Sequence, residues 1–267
     1  MKPHAKIFFY IIMPLVLISC EKVIPVTLND ADKKYVIEGS ITNEPTQCIV
    51  SVTQTKSFNE NNDFRGIGGA AVTISDNGGT PIALEESSPG KYTSVALNGI
   101  PGHVYSLSVV INGHSFTASS TMPSPVHMDS IYVEDQIIFG DSTRTVNVQY
   151  QDPAVKGNAY HFIQYKNGEK EKPVFVTNDD NTNGKVVSAQ LMTYDNSADD
   201  DKLRSGDTVT VIMESIDTPV YGYWFGINAA TGQSDSATPT NPVSNITGGA
   251  LGYFSAHTSQ KQMMVVE

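Results

Sequence analysis

The chain has 267 residues, with 17 Lys plus Arg against 28 Asp plus Glu, a formal net charge of −11. It is too long for a disulfide mini-protein, and at 39% hydrophobic and 17% charged residues it has the material for a packed core and too little charge for disorder. The acidic balance argues against non-specific nucleic-acid binding, which needs clustered Lys and Arg to displace counterions. Two cysteines exclude a disulfide framework, a zinc ribbon and a cysteine-ligated iron cluster.

The first segment reads as an address. Lys2 and Lys6 precede an apolar run over residues 7–18, broken only by Pro14, which ends in Ser19-Cys20. A spanning helix needs about 20 apolar residues, so the run reads as a signal-peptide core. A small residue before a cysteine at its end resembles the lipobox of bacterial lipoproteins, in which the thiol is acylated and the chain is cut just before the cysteine. Residues 1–19 are then the signal peptide, Cys20 the lipidated N-terminus, and the mature net charge −13. The alternative is a secreted protein with Cys20 paired to Cys48. If Cys20 is acylated, Cys48 is a lone thiol in an alternating strand pattern, and a buried inert thiol is expected. Glu21 after the cysteine resembles export to the outer membrane, with periplasm-facing and surface-facing orientations both open.

Residues 20–34 read as a lipidated tether. From Tyr35 the pattern has period two: Tyr35, Ile37, Gly39 and Ile41 alternate with Val36, Glu38, Ser40 and Thr42, and Cys48, Val50 and Val52 continue it. Residues 59–69 are a polar, glycine-rich loop, and Val72 and Ile74 run into the hairpin-type turn Asn77-Gly78. Tyr92 follows Pro89-Gly90, and Tyr105 to Ile111 turns at Asn112-Gly113 into Phe116 and Ala118. Several short strands over 35–121 predict an immunoglobulin-like β-sandwich, closed by Met122-Pro123-Ser124-Pro125.

A second mainly-β domain is expected over 126–267, with strands near 146–150, 160–165, 174–176, 185–192 and 209–213 and polar insertions at 178–184 and 195–207. Asp217-Thr218-Pro219 is a helix-start signal, followed by Val220, Tyr223, Trp224 and Ile227 at i, i+3, i+4 and i+7. This predicts one short helix near 219–231 that packs Trp224 into the second core. The rival is a strand with Tyr221, Tyr223 and Phe225 on one face; Gly222 and Gly226 weaken both. Residues 232–250 read as a long loop, and Tyr253-Phe254 and residues 263–266 as closing strands.

No catalytic residues emerge. There is no Gly-x-Ser-x-Gly elbow and no His-Glu-x-x-His, and His103, His114, His127, His161 and His257 lack ligand-like spacing. The best metal candidate is Asp179-Asp180-Asn181-Thr182-Asn183-Gly184, which places Asp179, Asn181 and Asn183 at the alternate positions of a Ca2+ loop. Position twelve is Gln190, without the bidentate Glu, and the rival reading is a polar hairpin turn. Tyr221, Tyr223, Trp224 and Tyr253 are the ligand-binding candidates, since sugar rings stack on such side chains; the rival is that these rings fill the core. Asp129-Ser130-Ile131, Asp141-Ser142-Thr143, Asp207-Thr208-Val209 and Asp235-Ser236-Ala237 resemble O-glycan acceptor triplets of exported proteins.

Several motifs coincide: Ser19-Cys20-Glu21-Lys22-Val23-Ile24, Tyr35-Val36-Ile37-Glu38-Gly39, Gly69-Ala70-Ala71-Val72-Thr73-Ile74, Pro89-Gly90-Lys91-Tyr92, Gly102-His103-Val104-Tyr105-Ser106-Leu107, Thr121-Met122-Pro123, Asp129-Ser130-Ile131, Ser244-Asn245-Ile246-Thr247-Gly248-Gly249 and Gly252-Tyr253-Phe254. In order and spacing they resemble the bacterial lipoprotein family catalogued as domain of unknown function 4249, over nearly the whole mature chain. The resemblance implies genes beside TonB-dependent outer-membrane transporters of glycans or peptides, and no catalytic residues. The leading expectation is a non-enzymatic outer-membrane lipoprotein serving as accessory subunit of such a transporter. The alternatives are a stand-alone glycan- or peptide-binding surface lipoprotein and a structural or adhesive surface protein.

Overall fold

Period-two patterning dictates most of the structure. The computed structural model describes residues 32–45, 48–57, 60, 63–138, 141–192, 202–231 and 241–267. In β1 (Tyr35–Thr42) and β2 (Cys48–Gln54) the buried hydrophobic side chains are Ile37, Ile41, Cys48, Val50 and Val52. β3 (Ala71–Asp76), β4 (Ile82–Ala83), β5 (Glu85–Ser88) and β6 (Lys91–Ser94) follow, then the hairpin β7 (Val104–Ile111) and β8 (His114–Thr121). The two Asn-Gly turns expected from the sequence have the left-handed backbone such turns need, at φ 46° and 70° for Asn77-Gly78 and 49° and 80° for Asn112-Gly113.

The chain continues with β9 (Met128–Ile138), β10 (Asp141–Gln151), β11 (Ala159–Lys166), β12 (Glu169–Lys170), β13 (Phe175–Asn178), β14 (Val186–Leu191) and β15 (Thr208–Ile216). The helix α1 (Thr218–Ala230), β16 (Ile246–Thr247) and β17 (Leu251–Val265) complete it. The short helix expected near 219–231 is present. Asp217 caps it, Pro lies in its first turn, and Thr231 ends it.

Strands of one long sheet run in the order β12-β11-β15-β17-β1-β2-β6-β5, with β13 added to β11. Two smaller sheets, β16-β8-β7-β3-β4 and β14-β10-β9, complete the fold. The chain is thus mainly β with sandwich-like layers and two principal cores. The first contains Ile37, Val50, Tyr105, Leu107, Met122 and Phe254, and the second Met128, Val148, Tyr150, Tyr160, Phe162 and Met213. The described residues of 33–56 and 63–267 pack as one unit.

β17 joins the two cores. Residues 251–257 pair parallel with β1, and residues 258–265 pair antiparallel with β15 on the opposite edge. Ile246, Ala250, Phe254 and Ala256, which sequence patterning assigned to the second half, therefore lie in the first core. The edge left unpaired in each half is closed by side chains. Asn245 bonds both backbone groups of Phe254, and Asn43 Oδ1 accepts from Ser259 N–H at 2.8 Å. Gly252 opens the parallel pairing at φ 97°; a Cβ there would meet the Ile37 carbonyl oxygen at 2.0 Å.

Two elements exceed the sequence reading. β9 was not foreseen at all, and β17 is one strand of 15 residues rather than separate short ones. Trp224 does not enter the second core: it packs with Ala159, Ile216, Val220, Tyr221 and Tyr253 in a separate cluster. Cys48 is the buried free thiol expected, with burial pushing it up to about 12. Cys20, residues 195–201 and 232–240, including the Asp235 triplet, lie outside the described residues. No helix among the described residues is long and apolar enough to cross a membrane.

Candidate functional site

Helix α1 brings two of the four aromatic candidates, Tyr223 and Trp224, to β17, which carries a third, Tyr253. Tyr223 and Trp224 lie 5.0 and 5.1 Å from Tyr253, ring centre to ring centre, and 5.5 Å from each other. Tyr221 sits one turn back, 5.9 Å from Phe225. The four candidates are half-buried, and Phe225 is 44% exposed at their margin. The helix is anchored for this task. Asp217 Oδ1 accepts from Val220 N–H, while Oδ2 accepts from Thr121 N–H at 2.9 Å and Ser120 Oγ at 2.8 Å. Burial raises the Asp217 pKa, and these three bonds only partly offset it.

Under the aromatic rings lies a row of titratable groups that sequence reading missed. Trp224 stacks on His161 at 4.5 Å and 14°. His161 Nδ1 lies 2.8 Å from Glu214 Oε2, and His257 Nε2 lies 3.4 Å from Glu214 Oε1. His257 Nδ1 is 2.9 Å from Ser255 Oγ. Strand pairing builds the row, since His161 is opposite Glu214 in the β11–β15 register and β15 pairs with the half of β17 that follows His257. Burial alone would raise the Glu214 carboxyl; the charge of His257 and the bonds from both imidazoles outweigh it and hold it well below the usual carboxylate range. Burial and the charge of Glu38 raise the Tyr223 and Tyr253 phenols.

Ser255, His257 and Glu214 form a hydrogen-bonded serine–histidine–carboxylate chain, but its serine is 2% exposed and its histidine 6%. In this arrangement the hydroxyl serves as a partner for the imidazole and is not presented to solvent as a nucleophile. A separate groove of about 560 Å³ is lined by Thr73, Ser75, Ser106, Ser108, Thr117 and Ser119 with Pro81 and Pro219. Its size suits a small ligand, but no aromatic ring is among its lining residues.

The calcium-loop candidates lie between β13 and β14, so the segment is strand–turn–strand and not helix–loop–helix. Asp179 is 5% exposed, and its Oδ2 accepts from Gly157 N–H at 2.8 Å, Asn158 N–H at 3.1 Å and Asn158 Nδ2 at 3.2 Å. Asn181 is exposed, and its carbonyl accepts from Lys185 Nζ. Asn183 Oδ1 is buried without a partner among the described residues. The three side chains thus do not form one calcium loop. Among the described residues, no group of three His, Cys, Asp or Glu side chains is placed to hold a metal.

These features define a β-sandwich scaffold with one helix-anchored aromatic patch over a buried His–Glu–His row. The chain belongs to the family described as Domain of unknown function (DUF4249), whose model matches residues 21–263. No significant match was found among curated proteins. Among solved structures, the selenomethionine-substituted chicken interferon gamma receptor alpha chain is similar at 9% identity, over 70% of this chain and 90% of that one, with a TM-score of 0.21.

Proposed function

We propose that this protein is a lipid-anchored, non-enzymatic accessory subunit of a TonB-dependent nutrient transporter at the bacterial outer membrane. The observation that carries the reading is the order of parts along the chain. A basic start, a short apolar run and Ser19-Cys20 precede 14 polar-rich residues, and β1 begins directly at Tyr35. Those 14 residues span at most about 50 Å when fully extended, so an acylated Cys20 keeps the scaffold close to the membrane surface, facing the periplasm or the exterior. The buried Ser255 supports the non-enzymatic side of the reading.

A second reading, a glycan- or peptide-binding lipoprotein acting alone, is favoured by the convergence of Tyr223, Trp224 and Tyr253 from α1 and β17, with Tyr221 beside Phe225 on the same helix. Trp224 is the sole tryptophan of the chain, so its fluorescence reports directly on this patch. Affinity capture of the lipidated protein from native outer membranes tests the first reading. Titration of the purified protein with oligosaccharides and peptides, following Trp224 emission, tests the second. An unchanged emission with every ligand, in wild type and in Phe225→Ala alike, removes its support.

A further inference from the structure

Strand pairing sets one carboxylate beside the aromatic patch. Glu38 of β1 is the register partner of Tyr253 of β17. Both lie on the face turned away from the first core, since their chain neighbours Ile37 and Phe254 are buried in it. Neighbouring strands run about 4.8 Å apart, so two side chains paired in this way are neighbours on one face. One pleat along the same face, Val36 pairs with Leu251, which is 40% exposed. Tyr223 and Trp224 reach Tyr253 from α1 at 5.0 and 5.1 Å. The result is an open surface of aliphatic and aromatic side chains with the Glu38 carboxylate set into it.

Glu38 is exposed and forms no hydrogen bond or ion pair among the described residues. On its other side it pairs with Ser51 of β2, and Ser51 pairs with Lys91 of β6. The cation of that row is therefore two strands away and is not bonded to Glu38. Glu214, beyond His161 on the inner side of Trp224, is already engaged by two imidazoles. The rings feel the free charge: burial first, then Glu38, raises the Tyr223 and Tyr253 phenols. A neutral ligand lying on Tyr253 would strip water from Glu38 and supply no counter-charge. A cation turns that cost into a charge-assisted bond and is attracted to the faces of the surrounding rings.

We propose that Glu38, Tyr223, Trp224 and Tyr253, with Val36 and Leu251 beside them, form a docking surface for an arginine-bearing peptide segment. This rests on the reading of the aromatic patch as a binding surface and names the class of its ligand. Arginine fits in three respects. Its guanidinium is planar and weakly hydrated, and it stacks on aromatic rings while bonding a carboxylate. Its apolar stem covers side chains such as Val36 and Leu251. The half-buried rings make an open surface that gives a small free amine few contacts, whereas a peptide lays further side chains across it. The formal net charge of −11 favours the approach of a basic partner in the same sense.

The test uses the full mature chain and three probes. They are an acetylated, amidated hexapeptide with one arginine between two leucines, the same peptide with neutral citrulline in place of arginine, and maltohexaose. Binding is measured by calorimetry and by Trp224 emission. The arginine peptide is expected to bind at least about tenfold more tightly than its citrulline isostere. Glu38→Gln, an isosteric change at an exposed site, should weaken the arginine peptide by about tenfold and the citrulline peptide by less than about twofold. Equal affinity for the two peptides overturns the inference and leaves the patch as a binding surface of another specificity, and so does binding of maltohexaose alone. Arginine binding undiminished in Glu38→Gln places the contact elsewhere on this acidic chain and overturns it as well. Silence with all three probes removes the binding reading of the patch together with it.

Discussion

Asn245 binds Phe254 twice. Its Nδ2 donates to the Phe254 carbonyl at 2.7 Å, and its Oδ1 accepts from the Phe254 N–H at 2.9 Å. One side chain therefore does on the free edge of β17 what a neighbouring strand does elsewhere, and it leaves the Phe254 ring fixed in the first core. Asn245→Ala leaves both backbone groups unpaired and is expected to cost about 2–4 kcal/mol. Asn245→Asp keeps the acceptor but loses the donor, and should fall between the two. Urea unfolding of the three proteins gives the order directly.

Glu214 is the charge around which the buried row is arranged. Its carboxyl is held well below the usual range, so its contribution to stability is complete above about 4.3, the ordinary glutamate value. It is lost as pH falls through the depressed folded value. The isosteric Glu214→Gln should cost about 1–3 kcal/mol at neutral pH, and the gap to wild type should shrink as pH falls below about 4.3. Unfolding curves collected from acid to neutral pH check both parts. A gap independent of pH would contradict the charge account.

Asp217 works in the opposite sense. Burial raises its carboxyl, so the bonds it makes are opposed by the cost of its charge, and its contribution is greatest below about 3.9 and falls as pH rises through the raised folded value. Asp217→Ala removes the cap of α1 and the link to Ser120 and Thr121. The expected loss at neutral pH is roughly 1–3 kcal/mol. Freed from that anchor, α1 should let Trp224 emission shift to longer wavelength before global unfolding.

Gly252 has no tolerance for a side chain. A methyl group would sit 2.0 Å from the Ile37 carbonyl oxygen on a backbone at φ 97°. Gly252→Ala is expected to cost about 3 kcal/mol or more and to disturb the parallel β1–β17 pairing. Hydrogen exchange at Val36 to Ile41 should rise in this variant more than at β11, which is distant in the sheet order.

The local elements were legible where one face is apolar. Ile37 and Ile41, the two Asn-Gly hairpins and the Asp217-Thr218-Pro219 helix start all carry their signal within a few residues. β17 did not, because residues 255–262 are polar on both faces, with Ser255, His257 and Thr258 buried by pairing and by hydrogen bonds. β9 was hidden by Glu134, Asp135 and Gln136 in its second half, where one neighbour only is paired. The aromatic half of the candidate site could be named from α1 spacing and Tyr253. Its buried half could not, since His161, Glu214 and His257 meet only through the registers of three strands distant in the chain.

An accessory role at a transporter is the function proposed for this protein. Affinity capture of the tagged, lipidated protein from gently solubilised native outer membranes, with mass spectrometry of what accompanies it, tests that claim most directly. Stoichiometric recovery of a TonB-dependent transporter is expected, and its loss when Cys20→Ala removes the proposed anchor. Recovery of the tagged protein alone, under conditions that preserve other outer-membrane complexes, would overturn the proposal.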